Sequence, residues 1–229
     1  MGDSQSLLTV GEEKIRDEKI YDISPELSAD IAVWPGDQPL SRSISLDLDR
    51  GDNLTLSSIT STVHLGAHAD APSHYGRGAA SIEGCDLRPY LGKCRLITVS
   101  APTGERIPPS ALGDLGGVQR VLLRTASFPN PKEFDKDFNS LSVGLIDELA
   151  RQGVFLVGID TPSVDPFDSK DLPSHQALLR HGMANLEGLC FDSVNDGDYE
   201  LIALPLRLVG FDASPVRAVL RCLADPQET

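Results

Sequence analysis

The sequence predicts a single α/β domain in which a large mixed β-sheet is covered by a few helices. The chain has 229 residues, of which 40% are hydrophobic and 24% are charged, as is typical of one globular domain. Short runs of branched and large apolar residues outnumber amphipathic segments, and Gly, Pro, Asp or Asn lies near most of their ends. The sequence contains no internal repeat or low-complexity segment, so we expect one domain over residues 20–229.

The strands are predicted from the apolar runs. In chain order these runs cover residues 20–23, 42–48, 54–63, 95–99, 120–124, 154–159, 199–204 and 216–220. Residues 1–19 are rich in charge and have little apolar periodicity, which predicts a flexible N-terminal tail before the first strand.

Helical patterns are scarcer. Ser142 can cap a helix that ends at Gly153, and three apolar side chains share one face of it: Leu145, Ile146 and Leu149. A second short helix is predicted from Ser174 to about Arg180, ended by Gly182. Both helices are expected to cover the sheet.

The charge balance limits the partners of the chain. The chain has 34 acidic and 20 basic residues, which gives a formal charge of -14. This balance disfavours nucleic acid and anionic membranes as partners but allows bound divalent cations.

The longest apolar stretches, such as residues 154–159 and 201–211, are too short for a membrane span, and the first twenty residues lack a signal-peptide core. We therefore expect a cytoplasmic protein with four reduced cysteines, since no CxxC pair or dense cysteine spacing occurs.

The histidines are concentrated in one segment. Three of the five lie within residues 64–74, where an even spread would place about a quarter of one. The segment reads HLGAHADAPSHY and has the pattern HxxxHxDxPxH. The spacing of His64 and His68 would suit one face of a helix, but Gly66, Pro72 and the preceding β-branched run oppose a helix. An extended chain is the better prediction.

In an extended chain His64, His68, Asp70 and His74 point to the same side. A straight strand would separate the outer two by roughly 33 Å, so the chain must bend to form one site. Gly66 and Pro72 are the expected bends. Imidazole and carboxylate together suit zinc, and manganese is also compatible with these donors. The alternative is that the three histidines are scattered on a polar strand or loop.

Further ligands must come from the rest of the chain. His175 lies at the start of the second predicted helix, and Glu187 follows twelve residues later. Glu187 lies among apolar residues, where burial of an unpaired carboxylate would be costly. It is either a metal ligand or a surface acid on a turn before Gly188. His181 precedes Gly182, where capping or interaction with the helix dipole is expected.

These motifs resemble the metal-dependent cyclase/formamidase family, whose pattern is HxGTHxDxPxH. Ala67 stands where the family has Thr. Within that family, the run GAHADAP at residues 66–72 is similar to the kynurenine formamidases rather than to the isatin hydrolases. Further matches are WPGD at 34–37, DTPSVD at 160–165, DYELIALPLRL at 198–208 and DASP at 212–215. The resemblance spans roughly residues 20–222.

The resemblance implies a barrel-like mixed sheet, a homodimer or larger oligomer, and two zinc ions per subunit. Two groups of residues are implied as ligands. His64, His68 and Asp70 would hold one zinc; His175 would hold the second, and Asp70 and Glu187 would bridge the pair. His74 would donate and accept the proton, and Trp34 would line the substrate pocket. Without the resemblance, the favoured interpretation of Trp34 before Pro-Gly is a core or turn-packing residue.

The implied reaction is the hydrolysis of N-formyl-L-kynurenine, a small-molecule substrate, to L-kynurenine and formate. Two alternatives remain: a related metal hydrolase of another aryl amide such as isatin, and a non-catalytic metal-binding protein on the same scaffold. Serine hydrolysis is not supported, because no GxSxG motif occurs and neither Ser73 nor Ser163 has an activating sequence context.

Overall fold

The structure is a computed structural model that describes residues 19–223. The predicted tail at residues 1–19 therefore lies, apart from Lys19, outside the described residues. The strands are β1 (Ile20–Asp22), β2 (Ser41–Leu46), β3 (Leu56–Thr60), β4 (His68–Asp70), β5 (Leu91–Thr98), β6 (Arg106–Ile107), β7 (Arg120–Arg124), β8 (Ser140–Leu141), β9 (Leu156–Ile159), β10 (Ala184–Glu187), β11 (Gly197–Ile202), β12 (Ala213–Pro215) and β13 (Val219–Cys222). The α-helices are α1 (Val143–Arg151) and α2 (Pro173–His181).

A mixed sheet of nine strands forms the centre of the described chain, in the order β1-β13-β11-β5-β7-β9-β10-β4-β12. The neighbours from β5 through β7 and β9 to β10 are parallel, and the other neighbours are antiparallel. The sheet curls into a half-barrel, which confirms the predicted α/β domain and its barrel-like mixed sheet. β2 and β3 form a separate hairpin.

Apolar side chains cover both faces of this sheet. In β7, Val121 and Leu123 point to the side covered by α1 and α2, and Leu122 points to the other side. This alternation follows from the pleat of a strand that is buried on both faces. Each face of the sheet therefore has its own apolar core. Polar functional side chains are expected at strand positions that lie outside these two cores.

Both helix predictions are confirmed. The Ser142 hydroxyl accepts a hydrogen bond from the Leu145 amide at 3.1 Å, which caps α1. The predicted apolar face of α1 is fully buried. α2 ends at Gly182, whose φ of +61° is a left-handed conformation that favours glycine.

The strand predicted at 216–220 is displaced toward the C-terminus. Residues 219 and 220 lie in β13, whereas residues 216–218 form the connection between β12 and β13. There the Val216 amide donates to the Ala67 carbonyl and the Ala218 amide donates to the Ser24 hydroxyl, outside any strand ladder. Four short strands, β6, β8, β10 and β12, were not predicted as strands. All four cysteines lie in the described residues and are free thiols.

Candidate metal centre

Sheet pairing brings the first donors together. β4 lies between β10 and β12, and its His68 is directly opposite Glu187 of β10. Residues directly opposite each other in an antiparallel pair point to the same side, as do His68 and Asp70 two positions apart. Ala69 between them points into the apolar core on the other side. The result is a buried face that carries an imidazole and two carboxylates.

Two bends add His64 and His74, as the sequence predicts. Gly66 has a φ of +55°, which turns the chain so that His64 Nδ1 lies 3.1 Å from Asp70 Oδ1. After β4, Pro72 begins a short 3-10 turn that ends at His74. The His64 and His74 rings then lie 4.2 Å apart between centroids.

His175 arrives from the first turn of α2. Its Nε2 lies 3.4 Å from Asp70 Oδ2 and 3.4 Å from Glu187 Oε1. The buried Asp165 carboxylate holds it there, accepting hydrogen bonds from the His175 amide at 3.0 Å and from Nδ1 at 2.8 Å. Arg106 pairs with the other oxygen of Asp165. Contacts within the protein therefore determine the position of His175 without a bound metal.

In His64, His68 and His175, one ring nitrogen already makes a hydrogen bond to an oxygen atom of the protein. His68 Nδ1 donates to the Gly66 carbonyl at 2.8 Å, His175 Nδ1 donates to Asp165, and His64 Nε2 donates to Asp212 at 3.1 Å. The other nitrogen of each ring faces the carboxylates. Fixing one nitrogen to an oxygen acceptor and freeing the other is the usual arrangement around metal-binding histidines.

The electrostatics of the cluster favour a cation. Burial raises the pKa of Asp70, but the close imidazoles of His175 and His64 outweigh this and hold that pKa well below its usual value. Burial lowers the pKa of His64 and His175, yet the neighbouring carboxylates raise the pKa of His64 to about 9 and that of His175 to about 12. The carboxylates thus hold protons on these rings, and a divalent cation could replace those protons.

Unpartnered atoms provide a test of fit. His68 Nε2 and Asp70 Oδ1 are buried without a hydrogen-bond partner, although Asp70 Oδ1 lies close to His64 Nδ1. These atoms approach one another without hydrogen-bond alignment, as ligands of a common ion would. Three groups of residues could each hold an ion, because the donor atoms within each group lie within 4.8 Å of one another. The groups are His64, His68 and Asp70; Asp70, His175 and Glu187; and His64, His74 and Asp212. The residues present fit a metal cofactor.

Comparisons with known proteins identify the family of the chain. Residues 21–166 match the Cyclase family model, and the chain is 49% identical to the kynurenine formamidase of Bordetella pertussis over 208 residues. That alignment covers 90% of this chain and 99% of the relative.

The chain belongs to the Cyclase family. The kynurenine formamidase of Polaromonas naphthalenivorans is 47% identical over 210 residues, covering 90% of this chain and 92% of the relative. Among solved structures, one described as a potential metal-dependent hydrolase with cyclase activity has a TM-score of 0.77 at 27% identity, covering 91% of this chain and 100% of that one. Isatin hydrolase A from Labrenzia aggregata, at 21% identity and a TM-score of 0.74 over 90% of this chain and 94% of that one, shares the fold.

A cavity of about 320 Å³ opens onto the candidate metal-binding residues of this Cyclase-family chain. Trp34, Phe128 and Phe134 supply aromatic walls, and His74 also lines it. Trp34 stacks on Phe167 with centroids 5.0 Å apart. The tryptophan therefore has both predicted features, packing against neighbours and facing a pocket. Phe128 and Phe134 were not predicted, because apolar residues in loops carry no distinctive pattern.

Three polar residues at the centre were not predicted as site residues. Asn185 donates to Asp70 Oδ2 at 2.8 Å and to Glu187 Oε1 at 3.2 Å, which offsets the repulsion between two buried carboxylates. Asp165 accepts a hydrogen bond from His175, and Asp212 accepts hydrogen bonds from His64 and His74. Both lie in motifs that carry the family resemblance, DTPSVD and DASP, and this was the available signal.

The remaining two predictions differ in outcome. Glu187 is only 3% exposed, so the interpretation as a surface acid is wrong. The apolar sequence around it reflects its position in an interior strand. His181 lies apart from the centre at the end of α2, where its Nε2 is 2.7 Å from Asp147 of α1. This agrees with a role at the helix end.

We expect Gly188→Ala to destabilise the protein and weaken metal binding. Gly188 has a φ of +64°, and a Cβ there would lie 2.2 Å from the Gly66 carbonyl oxygen. That oxygen accepts the hydrogen bond that orients His68. The left-handed alanine alone costs on the order of 1 to 2 kcal/mol, and displacement of the carbonyl adds to this cost.

Gly182→Ala is the matched control, since Gly182 has a φ of +61° and no atom within 4 Å of a built Cβ. Thermal melts and metal analysis would compare the two variants. Gly188→Ala should melt several degrees lower than Gly182→Ala and hold less metal. Equal melting temperatures and equal metal content would contradict the role of this close approach.

Proposed function

We propose that this chain hydrolyses N-formyl-L-kynurenine to L-kynurenine and formate as a zinc-dependent amidohydrolase. The observation that carries the proposal is a buried set of histidines and carboxylates that opens onto an aromatic cavity. Kynurenine formamidases at 49% and 47% identity, each aligned with 90% of the chain, support this substrate.

We propose a binuclear centre for the same site. Asp70 Oδ1 and Glu187 Oε2 face His68 at 3.6 and 3.4 Å, whereas Asp70 Oδ2 and Glu187 Oε1 face His175 at 3.4 Å. Each carboxylate thus offers one oxygen to either side, as bridging ligands do. His64, His68 and Asp70 would hold one zinc, and His175 would hold the other with Asp70 and Glu187 shared. Manganese is compatible with the same donors.

The mechanism must overcome a weakly electrophilic formyl carbon and a basic leaving amine. When bound, divalent metal ions polarise a carbonyl oxygen and lower the pKa of water. His74 lines the same cavity and its side chain is about one-third exposed, so its ring would take a proton from the attacking water and pass it to the leaving nitrogen. Trp34, Phe128 and Phe134 would hold the aryl ring and limit access of bulk water.

The isatin alternative has weaker support. The isatin hydrolases share the fold at 16 to 21% identity, whereas the formamidases match at 41 to 49%. Ala67, at the position where the wider family has Thr, also favours the formamidase branch.

Purified protein should cleave N-formylkynurenine in a metal-dependent manner. We expect chelation to abolish the release of formate and added zinc to restore it, because the donor set is incomplete as a catalyst without its ions. Absorbance of the product amine and parallel metal analysis would measure this result. Cleavage of isatin with no cleavage of N-formylkynurenine would favour the alternative substrate, and no cleavage of either would favour a non-catalytic protein.

We also propose a homodimer, supported by the β2–β3 hairpin. Within the described residues the hairpin pairs with no other strand, and an isolated hairpin has little stability of its own. It carries five exposed large apolar side chains: Ile44, Leu48, Leu54, Leu56 and Ile59. A second copy would cover them. A cytoplasmic location is likewise proposed, since the four cysteines are free.

The dimer has its own test. Ile59 is 75% exposed, so Ile59→Asp should leave the fold intact and shift the protein from dimer to monomer. Analytical ultracentrifugation would measure the mass. Ile20→Asp, which changes a 60% exposed isoleucine on β1, is the control and should remain dimeric. A monomeric parent protein would contradict the proposal.

A further inference from the structure

One carboxylate oxygen contacts two histidines at the edge of the metal centre. Asp212 Oδ2 lies 3.1 Å from His64 Nε2 and 3.2 Å from His74 Nδ1. Asp212 lies 138 residues or more from both histidines in sequence, and its side chain is 48% exposed. Because an ionised carboxylate only accepts hydrogen bonds, both ring nitrogens must donate to it.

We propose that Asp212 is a positioning residue that fixes His74 with its proton on Nδ1 and so leaves Nε2 free as the base. The assignment rests on the proposed function for its chemical meaning. Its structural part, the orientation and tautomer of His74, stands on the two hydrogen bonds alone.

The backbone around Asp212 is well anchored. Its carbonyl accepts a hydrogen bond from the Ala71 amide at 2.8 Å, and the next residue, Ala213, pairs with Asp70 in the β12–β4 ladder. The preceding Phe211 carbonyl accepts from the Ile82 amide at 2.9 Å. The carboxylate is therefore held at a constant distance from the strand that supplies Asp70, which is the requirement for orienting a catalytic side chain.

The bond to His74 determines which nitrogen can exchange protons. With Nδ1–H directed at Asp212, Nε2 carries the lone pair. Nε2 accepts a proton from water as the new C–O bond forms, and it returns that proton to the aryl nitrogen as the C–N bond breaks. Nδ1 keeps its proton and Asp212 stays ionised throughout, while its charge stabilises the transient imidazolium.

The bond to His64 links the base to the metal donors. With Nε2–H directed at the same oxygen, His64 presents Nδ1 toward Asp70 Oδ1 at 3.1 Å. One carboxylate therefore sets the ring orientation of a proposed ligand and of the proposed base. The alternative is that Asp212 itself binds a metal, because its oxygen and nitrogens of His64 and His74 lie within 4.8 Å of one another.

The chain contains a matched control at the opposite end of α2. Asp147 is also 48% exposed and accepts from His181 Nε2 at 2.7 Å, on a histidine that is 30% exposed compared with 34% for His74. Asp147→Ala removes a comparable carboxylate–histidine pair that lies outside the proposed machinery. It should leave kcat, KM and metal content unchanged.

The test uses zinc-loaded Asp212→Ala, Asp212→Asn and Asp147→Ala. We expect kcat to fall about a hundredfold or more in both Asp212 variants, with KM within about threefold of the parent and full metal content. Nitrogen-15 NMR of the histidine rings, with His74 assigned from His74→Gln, should show the Nδ1–H tautomer in the parent protein. That form should lose population in Asp212→Ala and persist in Asp147→Ala.

Each other outcome overturns the assignment. Loss of a metal equivalent in both Asp212 variants would make Asp212 a ligand. A rise in KM that matches the fall in kcat, or an Nε2–H tautomer in the parent, would remove the positioning role. Should Asp212→Ala fail to fold, the isosteric Asp212→Asn supplies the same readouts. If the parent does not cleave N-formylkynurenine, the proposed function fails, while the tautomer measurement still decides the role of Asp212.

Discussion

Asp70→Asn should remove most of the bound metal and lower the rate of hydrolysis by about a thousandfold or more, which corresponds to several kcal/mol of transition-state stabilisation. Asp70 belongs to two of the donor groups, and its two oxygens face different histidines. Asparagine keeps the shape but offers one weaker oxygen donor and no charge.

Metal analysis and thermal melts would measure this effect. Zinc at a hundredfold excess over its dissociation constant stabilises a folded protein by about 2.7 kcal/mol, so the parent should melt higher with zinc. Asp70→Asn should lose this response. Asp198→Asn is the control, because Asp198 is a partly buried carboxylate paired with Arg95 away from the site. Full metal content in Asp70→Asn would refute the shared-ligand role.

His74→Ala should lower kcat by about 10²- to 10⁴-fold while the protein keeps its metal. His74 lies in the 3-10 turn after β4, and its measured contacts are with Asp212 and neighbouring rings rather than with Asp70 or Glu187. Loss of the imidazole therefore removes proton transfer without removing the proposed ligands.

The comparison variant for His74 is His181→Ala, which removes another partly exposed histidine at the far end of α2. Steady-state kinetics and metal analysis on both variants would separate proton transfer from metal binding. His181→Ala should behave like the parent. If His74→Ala retained normal turnover, the proton-shuttle role would be wrong, and if it lost metal, His74 would belong among the ligands.

Local features of the fold were predictable because their causes are local. The Ser142 cap, the apolar face of α1 and the stop at Gly182 each depend on residues within one or two helical turns, and each prediction is confirmed. The bends at Gly66 and Pro72 follow from the same kind of reasoning. The strand predicted at 216–220 begins only at Val219, because strand pairing depends on partners distant in sequence and Val216 instead donates to Ala67.

The residues of the site likewise divide into those predictable from a local segment and those that depend on distant partners. The spacing of His64, His68 and Asp70 predicts a shared centre, since one short segment contains all three. Glu187 remained ambiguous, because its burial depends on pairing with His68, which lies 119 positions earlier in the sequence. Only the β10–β4 ladder shows that it faces the donors.

The sequence by itself indicated the types of donor side chain, imidazole and carboxylate, and the two bends that bring the histidines of residues 64–74 together. It also indicated the resemblance to the cyclase/formamidase family. The tertiary structure alone decided which ring nitrogen of each histidine is free and which backbone carbonyl or carboxylate accepts from the other nitrogen. Asp165, Asn185 and Asp212 act through hydrogen bonds that join residues up to 148 positions apart. Their residue types are common and have no distinctive spacing, so only the folded chain shows which of them reach the site.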